Sequence, residues 1–206
     1  MPDPTTAALI RRYYDACTDG DLAELGATLH PDVVHWFLAP NVGSAPVRGR
    51  EHLARYWRKV TRMIDARWVV DHVVTDGDEA VIEWTMFWRP DGAAERVATR
   101  GAEWFVLRDG LIAEIRSYYQ QRPETTGLDG FPYAERGYAV AGREASDVHP
   151  TRSSTALPLG ASDGSPSMGS VIRAVRGKAE PGRHTGRIRA WRQRSHGSPG
   201  RRDRDE

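Results

Sequence analysis

The stretch TRGAEWFVLRDGLIAEI, residues 99–115, decides the fold, because it has the pattern of two strands joined by a tight turn at Asp109-Gly110. Side chains alternate between the two faces of a strand, so Glu103, Phe105 and Leu107 share one face of the first strand. A carboxylate on an apolar face is costly unless it is paired or protonated. Glu103 therefore raises the question of what such a face is for.

Two structural interpretations of Glu103 stand beside a functional one. In the functional interpretation it lies in a pocket, where burial raises its pKa toward neutral pH and suits it to acid–base work. In the first structural interpretation it forms an ion pair, for which the candidate partners are Arg100, Arg116 and Arg50. In the second, this face of the strand is solvated.

Strand patterns of period two continue upstream of the opening hairpin. The sequence predicts strands over residues 66–74, 79–88, 96–107 and 111–120, with turns at TDGD, RPDGAAE and RDG. Short turns make consecutive strands antiparallel neighbours. The second half of the body is therefore predicted to be a four-stranded antiparallel meander.

The N-terminal part follows helical spacing instead. Asp3-Pro4 begins a first helix that ends at Gly20, and Asp21 caps a short second helix. DVVHWFL, after Pro31, predicts an early strand, and an apolar stripe predicts a third helix over about residues 50–65. Three helices, one early strand and a meander make an α+β fold.

Composition divides the chain into a body and a tail. Residues 145–206 carry 12 Lys+Arg against 6 Asp+Glu, a net charge of +6, whereas residues 1–144 carry a net charge of −5. Six of the seven tryptophans lie in the body. We predict one domain over residues 1–143, in which an irregular segment docks on the sheet through Phe131, Tyr133 and Tyr138. Residues 144–206 are predicted to be a disordered basic tail.

Several classes of protein are disfavoured by the same sequence. One cysteine, Cys17, excludes an intramolecular disulfide framework and a cysteine-based zinc site. No stretch approaches the roughly 20 apolar residues that span a bilayer, and the N-terminus lacks a secretory signal, so a cytoplasmic protein is expected. The arginines of the tail lack interleaved aromatics apart from Trp191, so a solvated appendage is favoured over a nucleic-acid-binding segment.

The order of elements and four local stretches resemble the SnoaL-like branch of the nuclear transport factor 2-like superfamily. The stretches are YYDACTDGDLAELGATLHPDVV, VRGREHLARYW, GDEAVIEWTMFW and WFVLRDGLIAEIRSYY. The resemblance covers roughly residues 5–122 and implies a cone: a curved antiparallel sheet wrapped around N-terminal helices, a cystatin-like roll with a pocket at its open end. Its members include ketosteroid isomerase, polyketide cyclases, limonene epoxide hydrolase and non-catalytic modules, so fold alone does not give function.

The resemblance also implies roles for particular positions. Tyr13 matches the helix-1 tyrosine that donates to an oxyanion in ketosteroid isomerase, and Glu103 falls at or near its second, protonated donor. The isomerase's aspartate base falls at Phe37, which cannot move a proton. The aspartate that the hydrolase and the cyclases place in their last strand falls at Ser117. His35, two positions before Phe37 on the same strand, is the best substitute for it.

We therefore predict Glu103, His35 and Tyr13 as catalytic residues, with neither metal nor cofactor. His35 has an open structural alternative, as a core histidine hydrogen-bonded to Tyr13 or Glu103. Five aromatic residues are expected to contact the ligand: Tyr14, Phe37, Trp57, Phe105 and Tyr119. The tryptophans of the strands form either a wall of the pocket or an apolar outer face covered by the second subunit of a homodimer.

Two functions remain open from the sequence. The first is a pocket protein for a small, largely apolar, aromatic or polycyclic molecule, with cofactor-free isomerase, cyclase or hydratase chemistry. The second is a non-catalytic ligand-binding or dimerisation module, which the missing first-strand aspartate favours. Convergence of Tyr13, His35 and Glu103 on one cavity is the geometry that separates the two.

Overall fold

The computed structural model describes residues 4–39, 45–119 and 127–148. These residues form three helices, α1 (Pro4–Asp19), α2 (Leu22–Thr28) and α3 (Arg50–Ile64). They also form six strands: β1 (Leu29–Phe37), β2 (Val47–Arg48), β3 (Arg67–Asp76), β4 (Glu79–Trp88), β5 (Val97–Arg108) and β6 (Leu111–Tyr119). The predicted α+β class and the predicted order of helices and meander strands are confirmed.

The six strands form one curved, open sheet in the order β2-β1-β6-β5-β4-β3. The meander from β3 to β6 is antiparallel throughout, as predicted. Strand β1 joins the edge of that meander by pairing in parallel with β6, so the sheet is mixed. This pairing brings Phe37 opposite Ser117, although 80 residues of chain separate them.

Turn chemistry fixes the ends of these elements. The side chain of Asp21 accepts hydrogen bonds from the backbone of Ala23 and Glu24, which caps α2. Asp109 and Gly110 both have positive φ, at 54° and 70°, which is the backbone of the two-residue hairpin turn predicted there.

The β5–β6 hairpin contains a bulge. Near the turn, Leu107 pairs with Ile112, but the next pair joins Val106 to Glu114, so Ala113 is an extra residue in β6. Beyond the bulge, Glu103 lies directly opposite Ser117. A regular ladder counted from the turn would instead place Arg116 opposite Glu103.

The main core lies between the helices and the inner face of the sheet. Helices α1 and α3 contribute Ile10, Tyr13, Leu53 and Val60, which are buried against the sheet. The alternation of β5 is confirmed, because Phe105 belongs to this core while its neighbour Trp104 is exposed on the other face.

A second, smaller core lies on the outer face, under residues 127–148, which we call the C-terminal strap. Ala139 of the strap is fully buried against Val69 and Phe87. Its backbone N–H donates to the buried carboxylate of Asp71 at 2.8 Å, and its carbonyl accepts from Arg100 at 2.7 Å. The strap thus covers the outer face of β3, β4 and part of β5.

The aromatic residues predicted to dock the strap pack together within it. The rings of Phe131, Tyr133 and Tyr138 contact one another, and Tyr133 lies 3.7 Å from the guanidinium carbon of Arg100. Of the predicted tail, residues 149–206 lie outside the described residues, and the domain boundary at residue 143 stays a prediction. No helix among the described residues is long and apolar enough to cross a membrane.

Candidate functional site

A cavity lies between α1, α3 and the inner face of the sheet. Its walls are mainly aromatic, and its two polar wall residues outside the tyrosines are Glu103 and Ser117. Six further aromatic residues line it besides Tyr14: Phe37, Tyr56, Trp57, Trp68, Trp84 and Tyr119. The centre of a water molecule can occupy only about 20 Å³ of this space, so a ligand must enter by displacing side chains.

The Glu103 carboxyl is the centre of a buried hydrogen-bond network. Its Oε2 accepts from the hydroxyl of Tyr14, and its Oε1 accepts from the hydroxyl of Ser117 at 2.5 Å. The Ser117 oxygen also lies 2.5 Å from Nε2 of His35. Helix α1 and strands β1, β5 and β6 each supply one member, so the sheet register and the packing of α1 hold the network together.

Burial sets the protonation of this network. It raises the pKa of Glu103 from 4.5 to about 7, although the hydrogen bonds from Ser117 and Tyr14 act in the opposite direction. It also lowers the pKa of His35 from 6.5 to about 3. At neutral pH the histidine is therefore uncharged, and the 3.7 Å contact between its Nε2 and Oε1 of Glu103 is not an ion pair.

A carboxyl with a pKa near 7 can either give or take a proton at neutral pH. General acid–base groups are most effective when their pKa lies close to the working pH. Glu103 is thus suited to that chemistry in the wall of an apolar cavity, where a bound ligand would be shielded from water.

The partners proposed for a structural ion pair are engaged elsewhere. Arg100 bonds Thr85 and the strap on the outer face, and Arg116 contacts Glu114. Arg50 donates to the carbonyls of Gly26 and Leu29 and lies near the carboxylate of Glu51. The solvated alternative is also excluded, because Glu103 is 4% exposed.

The predicted catalytic residues do not all meet at the cavity. Glu103 lines it, and His35 lies behind Ser117, stacked on Phe37 with ring centroids 4.3 Å apart. Tyr13 does not line the cavity: its hydroxyl accepts from Nε1 of Trp57 at 2.6 Å and is not hydrogen-bonded to Glu103. The hydroxyl beside Glu103 belongs to Tyr14, the adjacent residue on α1.

The predicted ligand contacts lie mostly on the cavity wall. Tyr14, Phe37, Trp57 and Tyr119 line it. Phe105 instead packs beneath the site, edge-on to Tyr14 at a centroid distance of 6.4 Å. The roles of all five residues stay predictions.

Sequence reasoning missed the bridging role of Ser117 and several of the walls. Two of these walls have a signal in the sequence. The apolar stripe of α3 includes Tyr56 beside Trp57, and alternation along β4 puts Trp84 on the same face as Ile82 and Met86. The local pattern gives no signal that Ser117 lies opposite Glu103, because this pairing depends on the bulge in β6.

No metal site accompanies these groups. Within the described ranges, no three His, Cys, Asp or Glu side chains lie close enough together to hold a metal ion.

Gly101 shapes one wall of the cavity. A Cβ at this position would lie 2.5 Å from Cζ2 of Trp84 and 2.8 Å from Cβ of Tyr119. Real Cβ atoms do not approach other atoms so closely, so only glycine lets the Trp84 indole lie against β5. The position of this wall therefore depends on the absence of a Cβ atom at residue 101.

Gly101→Ala is expected to lower the free energy of unfolding by about 1–3 kcal/mol, because the added methyl group overpacks a closed site. The displaced indole of Trp84 should also obstruct the cavity. Urea denaturation measures the first effect. Gly26→Ala is the matched control, since Gly26 lies within α2 with no atom within 4 Å of an added Cβ, and it should stabilise by up to about 1 kcal/mol. Equal effects of the two changes would contradict the close contact at Gly101.

Comparison with known proteins places this geometry in context. The profile of the SnoaL-like domain family matches residues 10–115. A crystal structure of a protein of unknown function with a cystatin-like fold from Methylobium petroleophilum PM1 is 35% identical, with a TM-score of 0.51. That match covers 66% of this chain and 91% of that one.

A second structure supports the fold alone. A candidate SnoaL-like polyketide cyclase from Jannaschia sp. CCS1 is 19% identical, with a TM-score of 0.52, and the match covers 64% of this chain and 99% of that one. No curated protein sequence matches the chain.

Proposed function

The chain belongs to the SnoaL-like domain family, and on that premise we propose that its cavity binds a small, largely apolar molecule with which Glu103 exchanges a proton. The chemistry is cofactor-free and of the isomerase, cyclase or hydratase type. One observation carries this proposal: a single carboxyl, with its pKa raised to about 7, lies in the wall of an aromatic cavity. The aromatic walls favour a flat, cyclic ligand.

In this function Glu103 acts on a ligand C–H or O–H group. As a carboxylate it takes a proton from a carbon next to a ligand carbonyl, and as an acid it returns the proton to another position. Tyr14 and Ser117 hold the carboxyl in place through its two oxygens, so the reacting group is positioned before the ligand arrives.

The experiment is proton exchange in heavy water. The full-length protein is incubated with a panel of small cyclic ketones, and NMR follows both binding, by saturation transfer, and loss of the proton signals next to the carbonyl. Binding with accelerated exchange is the expected result. A panel that neither binds nor exchanges would contradict the proposal.

The second candidate is a binding module without catalysis. It is favoured by Phe37, which occupies the place of the first-strand base and stacks on His35. It is also favoured because Tyr13 and His35 do not line the cavity with Glu103. Ketones that bind without any acceleration of exchange would support this function over the first.

We also propose that the protein is a homodimer through the open part of the outer face. Trp36, Arg116 and Trp104 lie side by side on β1, β6 and β5, and the Arg116 guanidinium carbon lies 5.1 Å from the Trp104 ring centroid. Trp36 and Trp104 are 39% and 37% exposed, and Trp36 and Arg116 line a groove of about 440 Å³. Tryptophan and arginine are the residues that most often dominate protein interfaces.

Trp104→Glu is expected to weaken this dimer at least about tenfold, because it replaces one of the two exposed indoles of the row with a charge. Sedimentation across a range of protein concentrations measures the dissociation constant. Val74→Glu is the control, since Val74 is a hydrophobic side chain exposed on β3, away from the row. A wild-type protein that sediments as a monomer at all concentrations would overturn the dimer.

A further inference from the structure

The Ser117 hydroxyl lies between two titratable groups at equal distance. Its oxygen is 2.5 Å from Nε2 of His35 and 2.5 Å from Oε1 of Glu103. All three side chains are buried, at 3% exposure or less for Ser117 and His35 and 4% for Glu103. A serine hydroxyl has one proton to donate, so it cannot donate to both neighbours at once.

The single proton of Ser117 therefore couples the ionisation of Glu103 to the tautomer of His35. When Glu103 is ionised it can only accept, so Ser117 donates to it and must accept from His35. His35 then carries its proton on Nε2. When Glu103 is protonated on Oε1, it donates to Ser117, which donates in turn to His35. The histidine then accepts at Nε2 and carries its proton on Nδ1.

The two states differ by one proton, which enters and leaves at opposite ends of the chain. Nδ1 of His35 is buried and has no hydrogen-bond partner among the described residues. Both ring nitrogens change protonation between the two states. Nε2 exchanges its proton with Ser117, whereas no described protein group can deliver a proton to Nδ1 or accept one from it.

We propose that Ser117 joins His35 and Glu103 into a proton wire, which returns a proton to Glu103 through the Ser117 hydroxyl. A proton from water, which reaches the buried Nδ1 only when this part of the structure opens locally, binds there, and the Nε2–H bond breaks as its proton forms a new bond to the Ser117 oxygen. The original proton of Ser117 then passes to Oε1 of Glu103. One proton enters, one arrives, and both His35 and Ser117 end neutral.

This wire rests on the proposed function, because it gives Glu103 a second proton after the first has passed to a ligand. Ser117 is thus a positioning residue that acts through Glu103. The wire works in reverse when Glu103 must lose a proton that it has taken from a ligand.

The titratable groups around the wire do not take up or release protons near pH 7. Tyr13, Tyr14 and Cys17 face it from α1, and Tyr119 faces it from β6. Burial raises the pKa of all four groups, so they stay neutral near pH 7. Helix α3 presents Trp57 to His35, and burial alone lowers the pKa of the histidine, so the ring changes tautomer rather than charge.

Nitrogen-15 NMR of the full-length, ligand-free protein tests the wire directly. Two-bond couplings to the ring carbon protons identify which nitrogen carries the proton, and a His35→Asn variant assigns the signals among the seven histidines. The expected result is a complete change from the Nδ1–H to the Nε2–H tautomer as pH rises, with the same midpoint as the Glu103 carboxyl, about pH 7. An unchanged tautomer on both sides of that titration would overturn the wire.

Two substitutions of Ser117 distinguish a proton relay through its hydroxyl from a purely structural role, and a third substitution, at Ser146, is the control. Ser117→Ala should abolish the coupled change of tautomer, and Ser117→Thr, which keeps the hydroxyl, should restore it. Ser146→Ala removes another buried serine hydroxyl, on the outer face, and should leave the coupling intact. Coupling that survives Ser117→Ala would contradict the proposal. Since no ligand is used, failure here leaves the ketone-exchange result to decide the proposed function separately.

Discussion

Glu103→Gln is expected to lower ligand proton exchange by about 100-fold to 10,000-fold, the usual contribution of a general acid or base. The amide has nearly the same shape as the acid and can still bond both Tyr14 and Ser117, so the cavity keeps its form. It cannot take or give a proton near pH 7. The rate of deuterium incorporation into a bound cyclic ketone measures the effect.

Glu51→Gln is the matched control for this change, because Glu51 lies on the surface of α3 with its side chain 71% exposed. It should exchange at the wild-type rate. If Glu103→Gln binds the ketone and exchanges it as fast as the wild type does, Glu103 has no catalytic role.

The same substitution is expected to change how stability depends on pH. The pKa of Glu103 is raised from 4.5 to about 7, so the folded protein holds the proton more tightly than the unfolded chain does. This contribution is complete below pH 4.5 and is lost as pH rises through 7. At 1.36 kcal/mol per pKa unit, the loss is about 3 kcal/mol.

Glutamine mimics the protonated acid at every pH and escapes this loss. The stability of Glu103→Gln relative to wild type should therefore rise by about 3 kcal/mol between pH 4.5 and 8. Urea denaturation of both proteins over this range measures the difference. Asp15 and Asp71, whose pKa values burial also raises, titrate in both proteins and cancel. A constant difference would mean that folding does not shift the pKa of Glu103.

The inner face of β5 was predictable because alternation is a local property of a strand. Residues at every second position point the same way whatever the rest of the chain does. Glu103 and Phe105 were placed together on that basis, and both are buried on the inner face. The order of the elements was predictable for a similar reason, since each begins and ends at its own turn or cap residues.

The partner of Glu103 was not predictable, because it depends on register. Counting from the Asp109-Gly110 turn puts Arg116 opposite Glu103, which made an ion pair a reasonable alternative. The extra residue Ala113 moves the pairing by one and brings Ser117 there instead. Nothing in the local sequence distinguishes a strand that bulges from one that does not.

The choice between Tyr13 and Tyr14 also depends on packing. Both belong to the apolar face of α1 and are buried, at 0% and 4% exposure. Adjacent residues on a helix point about 100° apart, so a modest rotation of α1 decides which hydroxyl reaches Glu103. That rotation is set by contacts with α3 and the sheet, among them the bond from Trp57 to Tyr13.

Local sequence patterns also could not predict the pairing of β1 with β6 and β2. Its parallel neighbour β6 lies far along the chain, and β2, only two residues long, has too little sequence to show a period. Strand β1 also contains Pro31, which lacks a backbone N–H. It is tolerated because the pairing with β6 is irregular between Leu29 and Val34.

The bulge at Ala113 gives the hairpin a tolerance to changes in chain length. Deleting this one residue would make the ladder regular and still leave Ser117 opposite Glu103, since both lie beyond the bulge from the turn. The turn end of the hairpin can therefore lose this residue while Glu103 and Ser117 stay paired. Insertion of a residue between Ala113 and Ser117 has no such protection, because it would bring a residue other than Ser117 opposite Glu103.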